Sequence, residues 1–251
     1  MKKIVGIIGG IGPYAGLDLL QKIYDNTIAN SDNEHLPVIL YSVPELIPDR
    51  SDYIQGLSKE NPSKGINKAL FQLKKCGAEY AVIACNAAHS GPIISEIKTY
   101  ADEIGIEIID LIENTVQYLE SLSDDLKACV FSVKATYLSK VYEKKLNDHD
   151  IDTMPLSEEE AFKIHEIVTN KEWGIKSESN PVTEVARTKL IETIKKQQEA
   201  GVNTIILGCT ELPLALPDDQ IGGVNLIDPG LIAARKIVEM IIPDQLKNAP
   251  Q

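Results

Sequence analysis

The feature that most constrains this 251-residue chain is that it repeats itself. The stretch Gly77-Ala78-Glu79-Tyr80-Ala81-Val82-Ile83-Ala84-Cys85-Asn86 returns in pattern as Gly201-Val202-Asn203-Thr204-Ile205-Ile206-Leu207-Gly208-Cys209-Thr210. In each, an apolar run ends in a cysteine eight residues after a glycine. The cysteines are 124 positions apart, and the same offset aligns Lys3-Ile4-Val5-Gly6-Ile7-Ile8 with Lys127-Ala128-Cys129-Val130-Phe131-Ser132. A single offset serving two anchors indicates an internal duplication. After each cysteine a further apolar segment ends in Ile-Asp, at Ile109-Asp110 and Ile227-Asp228, ahead of a helical pattern.

Short apolar runs alternate with amphipathic segments, the pattern of a mainly parallel sheet covered by helices. Strands are expected at Ile4 to Ile8, Val38 to Val43, Tyr80 to Ala84, Glu107 to Ile109, Ala128 to Val133, Ile151 to Pro155, Thr204 to Leu207 and Val224 to Ile227. Helices are expected at Leu17 to Ile28, Ser63 to Lys75, Ile93 to Glu103, Thr136 to Leu146, Glu158 to Val168, Thr183 to Glu199 and Leu231 to Ile241. The fold class is therefore α/β, with two pseudo-symmetric domains. Sites in such sheets form beyond the carboxyl ends of the strands, so Cys85 and Cys209 should face one cleft from opposite sides. The best break between the halves is the polar run Ser121-Leu122-Ser123-Asp124-Asp125. The triplet Glu158-Glu159-Glu160 after Ser157 reads as helix capping.

Charge narrows the ligand. With 25 basic against 37 acidic residues the formal charge is −12, and no basic patch offers a landing site for a phosphate backbone, so nucleic acid is not an expected partner. An acidic small molecule would need a local cation. Of the three arginines, Arg187 and Arg235 fall in amphipathic patterns and read as solvated, whereas Arg50 follows a strand in the loop-like Pro48-Asp49-Arg50. No apolar stretch approaches the ~18 residues that cross a bilayer and no leader pattern is present, so the expectation is a cytoplasmic protein with no membrane partner. Four cysteines without a Cys-x-x-Cys read as free thiols.

The amino-terminal Gly9-Gly10-Ile11-Gly12-Pro13-Tyr14-Ala15-Gly16 follows a strand and opens a helix. It satisfies only a loose dinucleotide fingerprint, because the acidic residue expected about 20 positions on is missing. A tight glycine turn whose amides line a cleft and receive a carboxylate is the better reading. Cys76 and Cys129 read as packing. One cysteine at a buried strand end is ordinarily a small hydrophobe, but two at duplicate positions, followed by Asn86 and His89 or by Thr210 and Glu211, ask for a joint role. Metal binding would want further ligands at short spacing, and nucleophilic catalysis needs one thiol. Racemisation uses two: a thiolate removes the α-proton from one face, and a thiol returns a proton to the other. Asn86, Thr210 and glycine-loop amides are candidate donors for the carbanionic intermediate.

Gly9-Gly10-Ile11-Gly12-Pro13, Pro48-Asp49-Arg50, Cys85-Asn86-Ala87-Ala88-His89 and Gly208-Cys209-Thr210-Glu211-Leu212-Pro213 together resemble the aspartate/glutamate racemase family, most nearly its aspartate racemases. The resemblance implies an isomerase that racemises an acidic amino acid, aspartate or glutamate, without PLP or any other cofactor and without a metal, commonly as a homodimer. It implies Cys85 and Cys209 as the catalytic pair, with Gly10, Ile11, Arg50, Asn86, Ala87 and Thr210 around the substrate and Arg50 on its side-chain carboxylate. It also implies that the carboxyl-terminal tail returns to the first domain, giving domains of 1–112 plus 225–251 and 113–224. Two positions depart from the family: Ala87 where a threonine is usual, and Thr169 where a lysine is usual. Lys171 or Lys176 could replace that lysine from the loop that follows, with Trp173 either a lid or simply packed. The alternatives are a relative acting on another small acid, such as a glutamate or hydantoin racemase or a decarboxylase, and a non-catalytic binder of acidic amino acids.

Overall fold

A computed structural model describes residues 2–122 and 125–248. The first half runs β1 (Ile4–Gly9), α1 (Pro13–Asp25), β2 (Val38–Ser42), α2 (Arg50–Ile54), α3 (Ser63–Lys75), β3 (Ala78–Ile83), α4 (Gly91–Ile104), β4 (Glu107–Ile109) and α5 (Leu111–Glu120). The second runs β5 (Ala128–Phe131), α6 (Lys134–Ser139), α7 (Val141–Asp148), α8 (Glu158–Thr169), α9 (Glu184–Glu199), β6 (Thr204–Leu207), α10 (Leu212–Ala215), β7 (Gln220–Ile221), β8 (Val224–Ile227) and α11 (Pro229–Ile241). Two four-stranded sheets result, in the orders β2-β1-β3-β4 and β5-β6-β8-β7. The first is wholly parallel; in the second only β7 runs antiparallel. This is the expected pair of mainly parallel sheets flanked by helices.

Both faces of each sheet are covered, which is why the strands read as unbroken apolar runs. In the first sheet Val5, Ile7 and Val82 pack toward Leu19 and Ile23 of α1 and Ala233 and Ile237 of α11, while Ile8, Ala81 and Ile83 join Leu70 and Leu73 of α3 and Ile97 of α4. In the second, Cys129, Phe131, Ile205 and Leu207 meet α8 and α9, and Ile206 and Ile227 meet α5 and α7. The two Ile-Asp segments have one local logic. Asp110 caps α5 by accepting from the Ile112 and Glu113 amides, and Asp228 caps α11 by accepting from the Gly230 amide. Each cap satisfies amides that have no partner within the helix. Ser157 and Glu160 form a capping box on α8, as the glutamate triplet suggests.

Several local expectations are corrected. Ile151 to Pro155 forms no strand: it holds one parallel bridge, Thr153 to Ala128, because Pro155 has no amide to continue the ladder. The helix expected over Thr136 to Leu146 is two helices, broken at Lys140, whose φ of 51° is left-handed. Arg50 opens the short helix α2, capped by the Asp49 carboxylate, and does not lie in a loop. Arg187 and Arg235 are fastened, not simply solvated: Arg187 donates to the Ala215 carbonyl and Asp218, and Arg235 to Asn26 and the Lys247 carbonyl. Cys129 is buried, but Cys76 is exposed at the end of α3, beside the left-handed Gly77. Of the polar break proposed between the halves, Ser123 and Asp124 lie outside the described residues. The expected boundary at residue 225 falls inside β8, which pairs with β6; the chain recrosses to α1 with α11. Among the described residues no helix is long and apolar enough to cross a membrane.

Candidate active site

Cys85 follows β3 and Cys209 follows β6, so the duplicated strands deliver both thiols to carboxyl-terminal edges. Both are 5% exposed and both line one cavity of about 360 Å³ between the halves. Ile11, Arg50, Asn86, Ala87 and Thr210 line the same cavity. Gly10 does not. It borders an adjoining depression that shares Ile11, Arg50, Lys176 and Glu211 with the cavity. Its φ of 87° and the Val43 and Pro44 nitrogens, 2.7 Å from where a Cβ would stand, make it a turn residue.

Lys171 is exposed and outside the cavity, whereas Lys176 lines it. The reason is the path of the loop. After α8 the Ile175 and Lys176 amides bond back to the Ile167 and Val168 carbonyls, each at 3.0 Å, which brings residue 176 to the edge of the cavity with its side chain still 33% exposed and leaves 171 at the outer bend. Thr169 also lines the cavity, but its hydroxyl donates to the His165 carbonyl. Trp173 is packed: its amide bonds Asn170, its carbonyl accepts from Thr183, and Lys189 lies 5.3 Å from its ring.

Glu211 is the site residue that sequence reasoning passed over. It is 3% exposed, and its carboxylate gathers the Cys209 thiol at 3.1 Å, the Gly12 amide at 3.0 Å and the Lys176 ammonium at 3.7 Å. A Cβ on Gly12 would come within 2.5 Å of Glu211 Oε1, so that approach requires glycine. The signal lay in the doublet Thr210-Glu211 directly after the thiol, which differs from Asn86-Ala87 at the duplicate position.

The charges around the thiols are asymmetric. Burial and then the Glu211 anion push the Cys209 thiol well above its ordinary value, against Lys176. Burial opposes ionisation of Glu211, yet Lys176, the Cys209 S–H and Arg50 hold it below the usual carboxylate range. Cys209 is thus a thiol donating to a carboxylate. Lys176 is raised, chiefly by Glu211, over the cost of burial. On the other side, burial works against the Arg50 charge, but Cys85, Asp49 and Glu211 more than offset it, and Arg50 is held charged beside Cys85. Among the described residues the Arg50 Nε and the Asn86 Nδ2 are buried without partners, and both residues line the cavity. His165, also lining it, is lowered by burial and by Lys134 and Lys176. The halves are tied across the site: Thr210 Oγ1 donates to the Ala84 carbonyl at 3.1 Å, and the Tyr142 hydroxyl to Asn86 Oδ1 at 2.6 Å. Among the described residues no cluster of His, Cys, Asp and Glu could hold a metal ion.

A small cavity with two buried thiols, the cations Arg50, Lys134 and Lys176 and unpaired donors is suited to moving a proton at the carbon of an anionic substrate. The family model for Asp/Glu/Hydantoin racemase matches residues 8–237. The broad specificity amino-acid racemase RacX of Bacillus subtilis (strain 168) is 23% identical over 96% of this chain and 100% of its own length. Picrophilus torridus aspartate racemase superposes with a TM-score of 0.77 at 27% identity, covering 98% of this chain and 96% of that one. Glutamate racemase from Francisella tularensis, solved with D-glutamate, has a TM-score of 0.59 at 20% identity over 100% of this chain and 84% of that one, a likeness of fold.

Proposed function

Because the chain belongs to the Asp/Glu/hydantoin racemase family, and so to the isomerases, we propose that it racemises an acidic amino acid, aspartate first and glutamate second, with Cys85 and Cys209 as its two acid/base groups. The observation that carries this reading is that both buried thiols line one cavity together with Arg50 and Lys176. Arg50 grips the side-chain carboxylate through paired hydrogen bonds. Lys176 and the free Asn86 amide attend the α-carboxylate, where charge grows as the Cα–H bond breaks.

In the forward step the Cys85 sulfur, as a thiolate beside the Arg50 guanidinium, takes the α-proton. The bonding pair passes into the Cα–carboxylate system as an enediolate, and the Cys209 S–H then protonates the opposite face. The cycle leaves a thiol at Cys85 and a thiolate at Cys209, beside Glu211. To reset the site, the Cys85 S–H releases its proton to solvent and the Cys209 thiolate takes one from solvent; we assign the Glu211 carboxylate, which accepts that S–H at 3.1 Å, the relay of this incoming proton. No cofactor enters the scheme. On the family resemblance we also propose a homodimer working in the cytoplasm.

The test is incubation of purified protein with L-aspartate, and in parallel L-glutamate, in D2O. D-enantiomer carrying solvent deuterium at Cα is the expected product, with the faster substrate defining the preference. Binding without exchange at Cα would select the non-catalytic binder, and no exchange with either acid would overturn the proposal.

A further inference from the structure

We propose that Tyr142 is a positioning residue that fixes the Asn86 amide with its NH2 toward the substrate; the inference rests on the racemase reading above. Tyr142 comes from α7 in the second half, is completely buried, and reaches both cysteine motifs. Its ring lies against Gly208, where an added Cβ would stand 3.2 Å from Tyr142 Cε2, one residue before Cys209. Its hydroxyl donates to Asn86 Oδ1 at 2.6 Å, one residue after Cys85.

That separation is normal for O–H to O and short for N–H to O, so the oxygen of the amide faces the phenol. The nitrogen is thereby turned the other way. Asn86 Nδ2 is buried with no partner among the described residues, in a residue that is 1% exposed and lines the cavity beside Cys85. Leaving a donor unpaired in the interior costs about 1–3 kcal/mol, a cost that a substrate carboxylate would relieve. Without the phenol the amide is free to rotate, and the reversed amide would aim oxygen lone pairs at a dicarboxylate. Phenol and amide thus form a bridge between halves whose free end is a single donor.

The experiment compares Tyr142→Phe, Asn86→Ala and the double variant, reading kcat and KM for L- and D-aspartate. Tyr142→Phe keeps the ring against Gly208. It is expected to raise KM about 10-fold for both enantiomers while kcat stays within about 3-fold, and to add nothing to KM in the Asn86→Ala background. A wild-type KM in Tyr142→Phe, or an equal further rise in the Asn86→Ala background, would overturn the proposal. Asn86→Asp is the arm that stands even if Tyr142→Phe does not fold, because it keeps an acceptor for the phenol and replaces the cavity donor with oxygen. Its thermal midpoint should hold while KM rises at least about 10-fold; a wild-type KM would again refute the inference. Calorimetric binding of L-aspartate to the same variants separates the two readings. A wild-type protein that binds but does not racemise breaks the racemase proposal and leaves the Tyr142 comparison readable as affinities, and one that does neither overturns both.

Discussion

The two halves place equivalent cysteines in unequal company. Cys85 has a guanidinium at its side, and the residue after it offers an unpaired amide; Cys209 has a buried carboxylate two residues on that accepts its proton. Duplication supplied two strands of the same offset, ending in the same residue type, and the divergence lies in the two or three positions that follow. A two-base reaction benefits from this difference. Two identical surroundings would leave the two sides equivalent, whereas here the Glu211 carboxylate accepts the Cys209 S–H and the Arg50 guanidinium lies beside Cys85.

The harshest way to break the comparison is to remove one thiol at a time. Cys85→Ala and Cys209→Ala should each lower racemisation by roughly 10³-fold, near the range expected of a lost general acid or base. The sharper readout is exchange in D2O. Each variant should still wash deuterium into one enantiomer of aspartate with retention, the opposite enantiomer for each. A single variant that racemises at full rate, or two variants that exchange the same enantiomer, would end the two-base scheme.

Glu211→Gln tests the asymmetry itself. It should lower kcat/KM by about 10²-fold, equally for the two enantiomers because their interconversion has an equilibrium constant of one. Since the Glu211 anion is one of the groups that raise the Cys209 thiol, its removal should move the alkaline limb of the pH profile to lower pH. An unchanged rate and profile would reduce Glu211 to a structural cap on the Gly12 loop.

The smallest expected effect concerns the paired helix caps. Asp110 is pulled from 3.8 down to about 2: burial opposes ionisation, but His89, the Lys98 bond and the Glu113 amide outweigh it. A depressed carboxyl stabilises the fold above its unfolded value and loses that contribution as pH falls toward its folded value. Asp110→Asn should therefore cost about 2 kcal/mol at pH 7, and the deficit should shrink as pH falls from about 4 to about 2. Denaturant unfolding at pH 7 and pH 3 measures it; an equal deficit at both would assign the loss to packing. The counterpart Asp228 meets Lys22 instead, at 2.6 Å, so the two caps are built alike but charged by different neighbours.

Much of this was legible in the chain because it is local or periodic. The 124-residue offset, the doubly covered strands and the Ile-Asp caps express backbone geometry and burial that a few neighbouring residues set for themselves. One error was local, and the others came where the path of the chain or a distant partner decides. Ile151 to Pro155 has strand composition but a proline that ends its ladder, and Lys171 and Lys176 differ only in how their loop folds back on α8. Glu211 could be seen as polar beside a thiol, yet its weight comes from Gly12, 199 residues away, and from Lys176.

The sequence by itself determined that two copies of one α/β unit would each carry a cysteine to a strand end, and it singled out Arg50, the arginine that lines the cavity with them. The tertiary structure alone decided that Lys176 and not Lys171 lines the cavity, which carboxylate receives the Cys209 S–H, and which way the Asn86 amide points. The physical reason is that a strand's period is written in adjacent residues, whereas charge state and amide orientation are set by whatever the folded chain brings within a few ångströms in a low-dielectric interior.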